Sequence, residues 1–356
     1  MQPVAGMTRL LSIALLGAAA VAAPSVSALA LDKINVLVVN ERSTMHYAAF
    51  AARELGFYEA MGLEVNLLPS DTTVPYVAFL SNGDADLVML DAPQVFQAVN
   101  AKQPVSVVYE ANQYAPESIG VPKDGDIRSV ADLKGKTVGL ASDRDQVTTM
   151  VALDTVGMSI EDISTVVVGE SGPVLAKAIQ DKTIAAYAGS ANNLAAIDAA
   201  GIPIRNITPA NVSDNPGNSL VMWTPRKAEI SDVVQRFLKA YAMATHAGIL
   251  DTKTMAAICK KNVPEQWENM DIGMALLDFA VYKTNLIRTI KRGEPQPDVW
   301  SRVQAPYIAL KEIPGPLDPA SFLDASFIDG ASEYETAEVK AALAKWKEAN
   351  KDILIP

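Results

Sequence analysis

The chain has 356 residues, enough for two domains or one large one. Its composition, 49% hydrophobic and 20% charged with 20 Gly and 21 Pro, is globular and excludes a disordered or fibrous protein. A net charge of −11 argues against nucleic-acid binding, which holds phosphates through clustered Lys and Arg.

Residues 1–30 read as an export signal. Arg9 is the one cation, "LLSIALLGAAAVAA" is apolar, and "ALA" at residues 28–30 is a small-x-small cleavage site. The apolar run is short and alanine-rich for a membrane span. The expected mature protein is therefore periplasmic, cleaved near Ala30. No Cys marks a lipid-anchored form, and Cys259, alone in the chain, is expected to be a buried small residue.

"INVLVV" (34–39) reads as a buried strand, followed by the loop "NERSTMH" and a helix stopped at Gly56. "LEVNLL", "ADLVML" and "VSVVYE" are the next strands, with helices at "VPYVAFLSN" and "PQVFQAVNA" between them. Strands alternating with helices at this spacing predict parallel βαβ units with helices on both faces. The pattern then restarts: strands at "KTVGL", "ISTVVVG", "IAAYAG" and "IPIRNI" alternate with helices at "DQVTTMVALDTVGM", "GPVLAKAIQDK" and "NNLAAIDAAG". Two α/β units of similar grammar fill the first two-thirds. The last third is helical, beginning with "ISDVVQRFLKAYAMATHAGIL" and broken by Pro264, Pro295, Pro297 and Pro306. Ser332 and Glu335 predict a capping box for the final helix, whose stripe Val339, Leu343 and Trp346 should dock on the protein's own core.

Catalytic apparatus is missing from this pattern. His46 and His246 stand 200 residues apart with no metal-ligand spacing, and "GESGP" lacks the G-x-S-x-G spacing of a nucleophile elbow. No dinucleotide or phosphate loop occurs, so neither cofactor nor metal is expected, and the protein is not expected to be an enzyme.

"GFYEAMGLEV" (56–65) resembles the Gly-aromatic-aromatic…Gly-Leu-x-Val signature of solute-binding subunits of ABC importers. "LSNGDADLVM", "DLKGKTVGL" and "LDPASFLDASFI" are similar to three further segments of the group that serves sulfonates, taurine, nitrate and thiamine-pyrimidine precursors. Four such segments in order span nearly the whole mature chain. One departure is Ala185, the second-unit counterpart of Asp86, where the family often keeps an acid. The resemblance implies an α/β, two-lobed type II periplasmic-binding fold, each lobe a mixed sheet flanked by helices. By it, lobe one is 31–111 plus 219–356, lobe two is 112–218, and crossings fall near 110–114 and 214–220. It also implies a small-molecule solute and an ABC permease with its ATPase as partners, with membrane contact only through the permease. A monomer is expected.

Ligands of open α/β sheets bind beyond the carboxyl ends of the strands, where helix N-termini present free N–H groups. The candidate contacts are therefore Asn40, Arg42, His46, Asp71, Thr72 and Asp91 in the first unit. Tyr114 in the first crossing joins them, with Arg144, Gln146, Ser171, Tyr187, Ser190 and Asn192 in the second unit. Acids outnumber cations in these loops, which favours a solute with N–H donors such as a pyrimidine, stacked on Tyr114 and Tyr187. Helix capping is the competing role for those acids. Arg144 carries the alternative, a bidentate grip on a sulfonate, taurine or carboxylate. A pyrimidine-synthase-like enzyme would need a Cys-rich segment that this chain lacks, and a sensor contacting a receptor remains a further alternative.

Overall fold

The computed structural model describes Met1 and residues 30–38, 43–68, 76–143 and 145–355. Most of the expected export signal, and the ends of several loops, lie outside those residues. Leu31–Pro356 forms one compact unit.

The chain opens with β1 (Asp32–Leu37), α1 (Tyr47–Glu54), α2 (Phe57–Ala60), β2 (Leu63–Leu68), α3 (Tyr76–Asn82), β3 (Leu87–Leu90), α4 (Ala92–Asn100) and β4 (Val105–Glu110). A second set follows: β5 (Glu117–Pro122), β6 (Thr137–Leu140), α5 (Asp145–Asp154), β7 (Ser164–Val167), α6 (Gly172–Gln180), β8 (Ala186–Ser190), α7 (Ala191–Ala199), β9 (Ile204–Asn206) and α8 (Ala210–Ser213). Then come β10 (Ser219–Trp223), α9 (Lys227–Leu250), α10 (Thr252–Asn262), α11 (Met270–Asn285), α12 (Pro297–Arg302), α13 (Ala305–Ala309), α14 (Ile328–Ala331) and α15 (Thr336–Ala349).

Two five-stranded sheets result, ordered β2-β1-β3-β10-β4 and β7-β6-β8-β5-β9. In each, three strands run parallel and an antiparallel fourth joins a fifth, which is short only in the second sheet. The antiparallel strands are exchanged: β5 follows the first sheet in sequence but sits in the second, and β10 returns to the first. The chain therefore passes between the sheets twice.

Period-two burial divides the core. In β3, Leu87 and Met89 face α1, α9 and α11, while Val88 and Leu90 face an opposite layer. That opposite layer is continuous with Ile119, Val138, Leu140 and Ala188 of the second sheet, so one apolar core runs beneath both sheets. The outer face of the second sheet has its own small cluster around Leu175, Tyr187 and Ile197. Cys259 is fully buried, and Val339, Leu343 and Trp346 dock on the core, as their stripe predicts.

Several expectations change. β5 and β10 are strands that the pattern did not predict, because "ESIGVP" carries an acid, Gly and Pro and "SLVMW" directly follows a loop-like run. β4 is held by antiparallel pairing to β10, not in a parallel ladder. Pro297 and Pro306 begin helices rather than break them, since the first turn needs no proline N–H. The Ser332 capping box does not form: Ser332 N donates to Ile328 O at 3.0 Å, closing α14, and α15 starts after Glu335.

Candidate functional site

The carboxyl ends of β1 and β3 in the first sheet, and of β6, β7 and β8 in the second, lead into loops that line two neighbouring hollows. Beyond β3, Asp91 caps α4: its Oδ1 accepts Gln94 N at 2.9 Å while Gln94 Oε1 accepts Asp91 N at 3.1 Å. Beyond β6, Asp145 Oδ2 accepts both Ser142 N and Ser142 Oγ at 2.8 Å, fixing the start of α5. These two helix starts face each other across a hollow of about 160 Å³, with Glu117, Thr148, Asn215 and Tyr307 among its other walls.

The second hollow, about 480 Å³, joins Ser43 after β1 to Glu170 and Ser171 after β7 and Asn192 after β8. Its fourth wall is the start of α11, where Asn269 caps the helix and Ile272 and Leu276 supply apolar surface. Thr44 ties that wall to the first sheet, its N–H donating to Gln266 Oε1 at 2.8 Å and its Oγ1 accepting from Trp267 Nε1 at 3.1 Å. Because β1 neighbours β3 and β6 neighbours β8, the two hollows follow one seam between the sheets. Among the described residues lining them there is no Lys or Arg. Asn192 Oδ1 and Asn215 Oδ1 are buried acceptors without a hydrogen-bond partner.

The two crossings lie side by side. Asn112 N donates to Asn218 O at 3.0 Å, Gly217 N to Asn112 O at 2.8 Å, and Ala115 N to Asn215 O at 2.8 Å. Gly217 permits the approach: a Cβ there would lie 2.7 Å from Asn112 Cβ. The segment after α11 braces both crossings. Arg288 stacks its guanidinium 3.7 Å from the Tyr114 ring centroid and donates to Asp214 O at 2.7 Å. Gln113 Nε2 donates to Thr289 Oγ1 and Glu294 O.

Of the residues nominated from sequence, Asp91, Ser171 and Asn192 line the hollows. Gln146 is exposed and Ser190 caps α7 by position; neither is among the lining residues. Asn40, Arg42, Asp71, Thr72 and Arg144 lie outside the described residues. His46 is buried, and desolvation pushes its imidazole down to about 4, so it is neutral at physiological pH. Two stacking expectations change. Tyr187 is fully buried, accepting from Asn193 Nδ2 at 2.7 Å and donating to Gly169 O at 3.2 Å, so its ring belongs to the core. Tyr114 has one face covered by Arg288. The sequence reading missed the α11 wall and Asn215, Glu117 and Tyr307. The caps of α4 and α5 were visible locally, whereas nothing local tells a distant helix which loops it will face.

Among the described residues no group of His, Cys, Asp and Glu could hold a metal ion, and no helix is long and apolar enough to cross a membrane. Paired mixed sheets with exchanged strands and a seam of loops between them define the periplasmic binding protein fold, a two-lobed class built around a ligand cleft. Within it the chain belongs to the NMT1/THI5-like family, whose sequence model matches residues 43–251. A Haemophilus influenzae protein named as a candidate for thiamine biosynthesis is 30% identical over 159 residues, 44% of this chain and 50% of that protein. The chain thus spans about half the length of that curated relative. The periplasmic aliphatic sulphonate binding protein SsuA of Escherichia coli superposes with a TM-score of 0.63 at 15% identity, over 81% of this chain and 91% of its own. The desulfurization enzyme DSZB superposes with a TM-score of 0.58 at 13% identity, over 84% and 98%. At these identities the solved structures establish the fold alone.

Proposed function

We propose that the protein is the exported solute-binding component of an ABC importer, delivering a small polar organic molecule to a permease and its ATPase. Lobe one would be 31–111 plus 219–356 and lobe two 112–218, with residues 1–30 removed on export. The observation that carries this reading is the polar seam of about 480 Å³ and 160 Å³ hollows walled by the loops of both sheets. A solute bridging those walls would favour the closed arrangement by its differential affinity. The SsuA likeness and the periplasmic fold support the same partner class. A catalytic role has little support despite the DSZB likeness. Cys259 is sealed with its thiol pushed well up, and His46 is sealed and neutral, so neither offers a nucleophile or base.

For the solute, the acceptor-rich lining favours a molecule with N–H donors, such as a pyrimidine or another nitrogen heterocycle. The name of the Haemophilus relative leans the same way. The SsuA likeness favours the second reading, an organic anion such as a sulfonate, taurine or carboxylate gripped by Arg144. Calorimetry with a panel of sulfonates, carboxylates and pyrimidines on wild type and Arg144→Ala separates them. The substitution should cost about 2–5 kcal/mol for a buried anion and far less for a neutral heterocycle. A pyrimidine bound equally by both proteins is the expected result. Sulfonate binding that disappears with Arg144 would replace it with the anion reading, and native mass spectrometry finding no co-purified or added solute would sink both.

A further inference from the structure

Away from the seam, half-buried side chains from three distant segments meet on the side of the first sheet. His246 lies on α9 with its ring centroid 5.9 Å from that of Tyr334, and the positive charge of Arg292 acts on both. The loop carrying Arg292 is firmly placed. Gly293 has φ +75°, a Cβ there would lie 2.2 Å from the Tyr109 ring, and Glu110 N donates to Gly293 O at 2.8 Å. Lys291 on the same loop pairs with Asp329.

Two nitrogens at this junction, Arg292 Nη1 and His246 Nδ1, are buried and have no hydrogen-bond partner. Among the described residues the arginine ion pairs are those of Arg226 and Arg236, so Arg292 has no carboxylate. The charges that face His246 are Arg292 and Lys340 of α15, both positive. Tyr47 and Tyr109, the other titratable neighbours of Arg292, are sealed phenols that stay neutral. Glu333 and Glu335, beside Tyr334 in sequence, are exposed. A concentration of positive charge with two unmatched buried nitrogens is unusual in a chain of net charge −11. Both side chains are half-buried, with one nitrogen of each sealed, and a sealed guanidinium N–H is matched best by an anionic acceptor.

We propose that His246, Arg292 and Tyr334 form a binding site for a compact inorganic anion, separate from the solute seam, with Lys340 adding to its field. The anion would accept from Arg292 Nη1 and from the Nδ1–H of His246. Chloride and phosphate share this chemistry, and the experiment distinguishes them.

The chain carries two histidines: burial pushes the sealed His46 down to about 4, and partial burial together with Arg292 and Lys340 pushes His246 down from its ordinary value. Proton NMR would follow its imidazole in HEPES with potassium gluconate as the added salt. Chloride or phosphate would then replace gluconate at equal ionic strength. A nearby anion favours the imidazolium, so the expected result is a midpoint raised by about 1 in chloride, in phosphate or in both. Arg292→Gln should abolish that dependence and Lys340→Gln should weaken it. If Arg292→Gln does not fold, Arg292→Lys keeps the charge and should retain part of the effect, while the wild-type salt comparison decides alone. A midpoint identical in all three salts would mean that water occupies the junction and would overturn the site. A salt effect that persists unchanged in Arg292→Gln would overturn the assignment of Arg292.

Discussion

The two sheets repeat one plan, and a single position shows how they differ. At the head of β3, Asp86 N donates to Asn35 O at 2.8 Å; at the head of β8, Ala185 N donates to Thr137 O at 2.8 Å. The backbone device is the same in both. Only Asp86 does more: its Oδ2 accepts Asn35 N and its Oδ1 accepts Arg226 Nη1, each at 2.8 Å. Arg226 leads directly into α9, and α9 packs on the first sheet alone. The acid of the first half therefore anchors a helix, and Ala185 makes only the backbone contact. The repeat fixes the ladder, and what is packed outside fixes the side chain.

The largest expected effect tests how far the halves are coupled. All four tryptophans, Trp223, Trp267, Trp300 and Trp346, lie outside the stretch that carries the second sheet, so fluorescence reports the first half whereas circular dichroism reports both. Trp300 is fully buried against Phe96 and Phe322 in the core that runs under both sheets, and it donates to Glu110 Oε1 at 2.6 Å. Trp300→Ala should lower stability by about 3–5 kcal/mol in urea unfolding, with both signals moving together. Separate transitions would show that the shared core does not couple the halves.

The next largest effect concerns pH, and both groups lie in the first half. Burial pushes Glu110 up from 4.5 to about 7, despite hydrogen bonds from Trp300 and Gln296. The folded state then holds a proton that the unfolded state releases, so this contribution is present below pH 4.5 and is lost as pH rises through 7. Burial pushes His46 down from 6.5 to about 4, so its contribution is present above pH 6.5 and is lost as pH falls through 4. Each amounts to about 3 kcal/mol, and between pH 4.5 and 6.5 the two oppose. Wild-type stability should be nearly flat across that window, as far as these two groups set it. Glu110→Gln should uncover the His46 slope, stability falling on acidification. A wild-type-like flat profile in that variant, measured by urea midpoints at several pH values, would refute the opposition.

The smallest pair of effects bears directly on Asp86 and Ala185. Asp86→Ala leaves Asn35 N and Arg226 Nη1 without their acceptor, Arg226 keeping only Glu229, and should cost about 1–3 kcal/mol. Ala185→Asp keeps the backbone contact to Thr137 but its carboxylate has no arginine to meet, and it should change stability by less than about 0.5 kcal/mol. Equal costs in thermal unfolding would mean that the position matters for the ladder itself and not for the anchored helix.

Much of this protein was legible in its sequence. Period-two and period-3.6 patterns set the parallel strands and their helices, because buried faces must be apolar in any arrangement. The caps at Asp91 and Asp145 were visible as local chemistry, since the groups they satisfy lie within three residues. The tertiary structure alone decided strands β5 and β10, whose short sequences become strands only when neighbours on both sides offer them partners. It also decided that Tyr187 serves the core, that Arg288 covers Tyr114, and that α11 walls the seam. Tyr187 finds its partners within eighteen residues, but only once its sheet and α7 pack together. Arg288 and α11 depend on segments far apart in the chain, and neither kind of packing leaves a local signature to read.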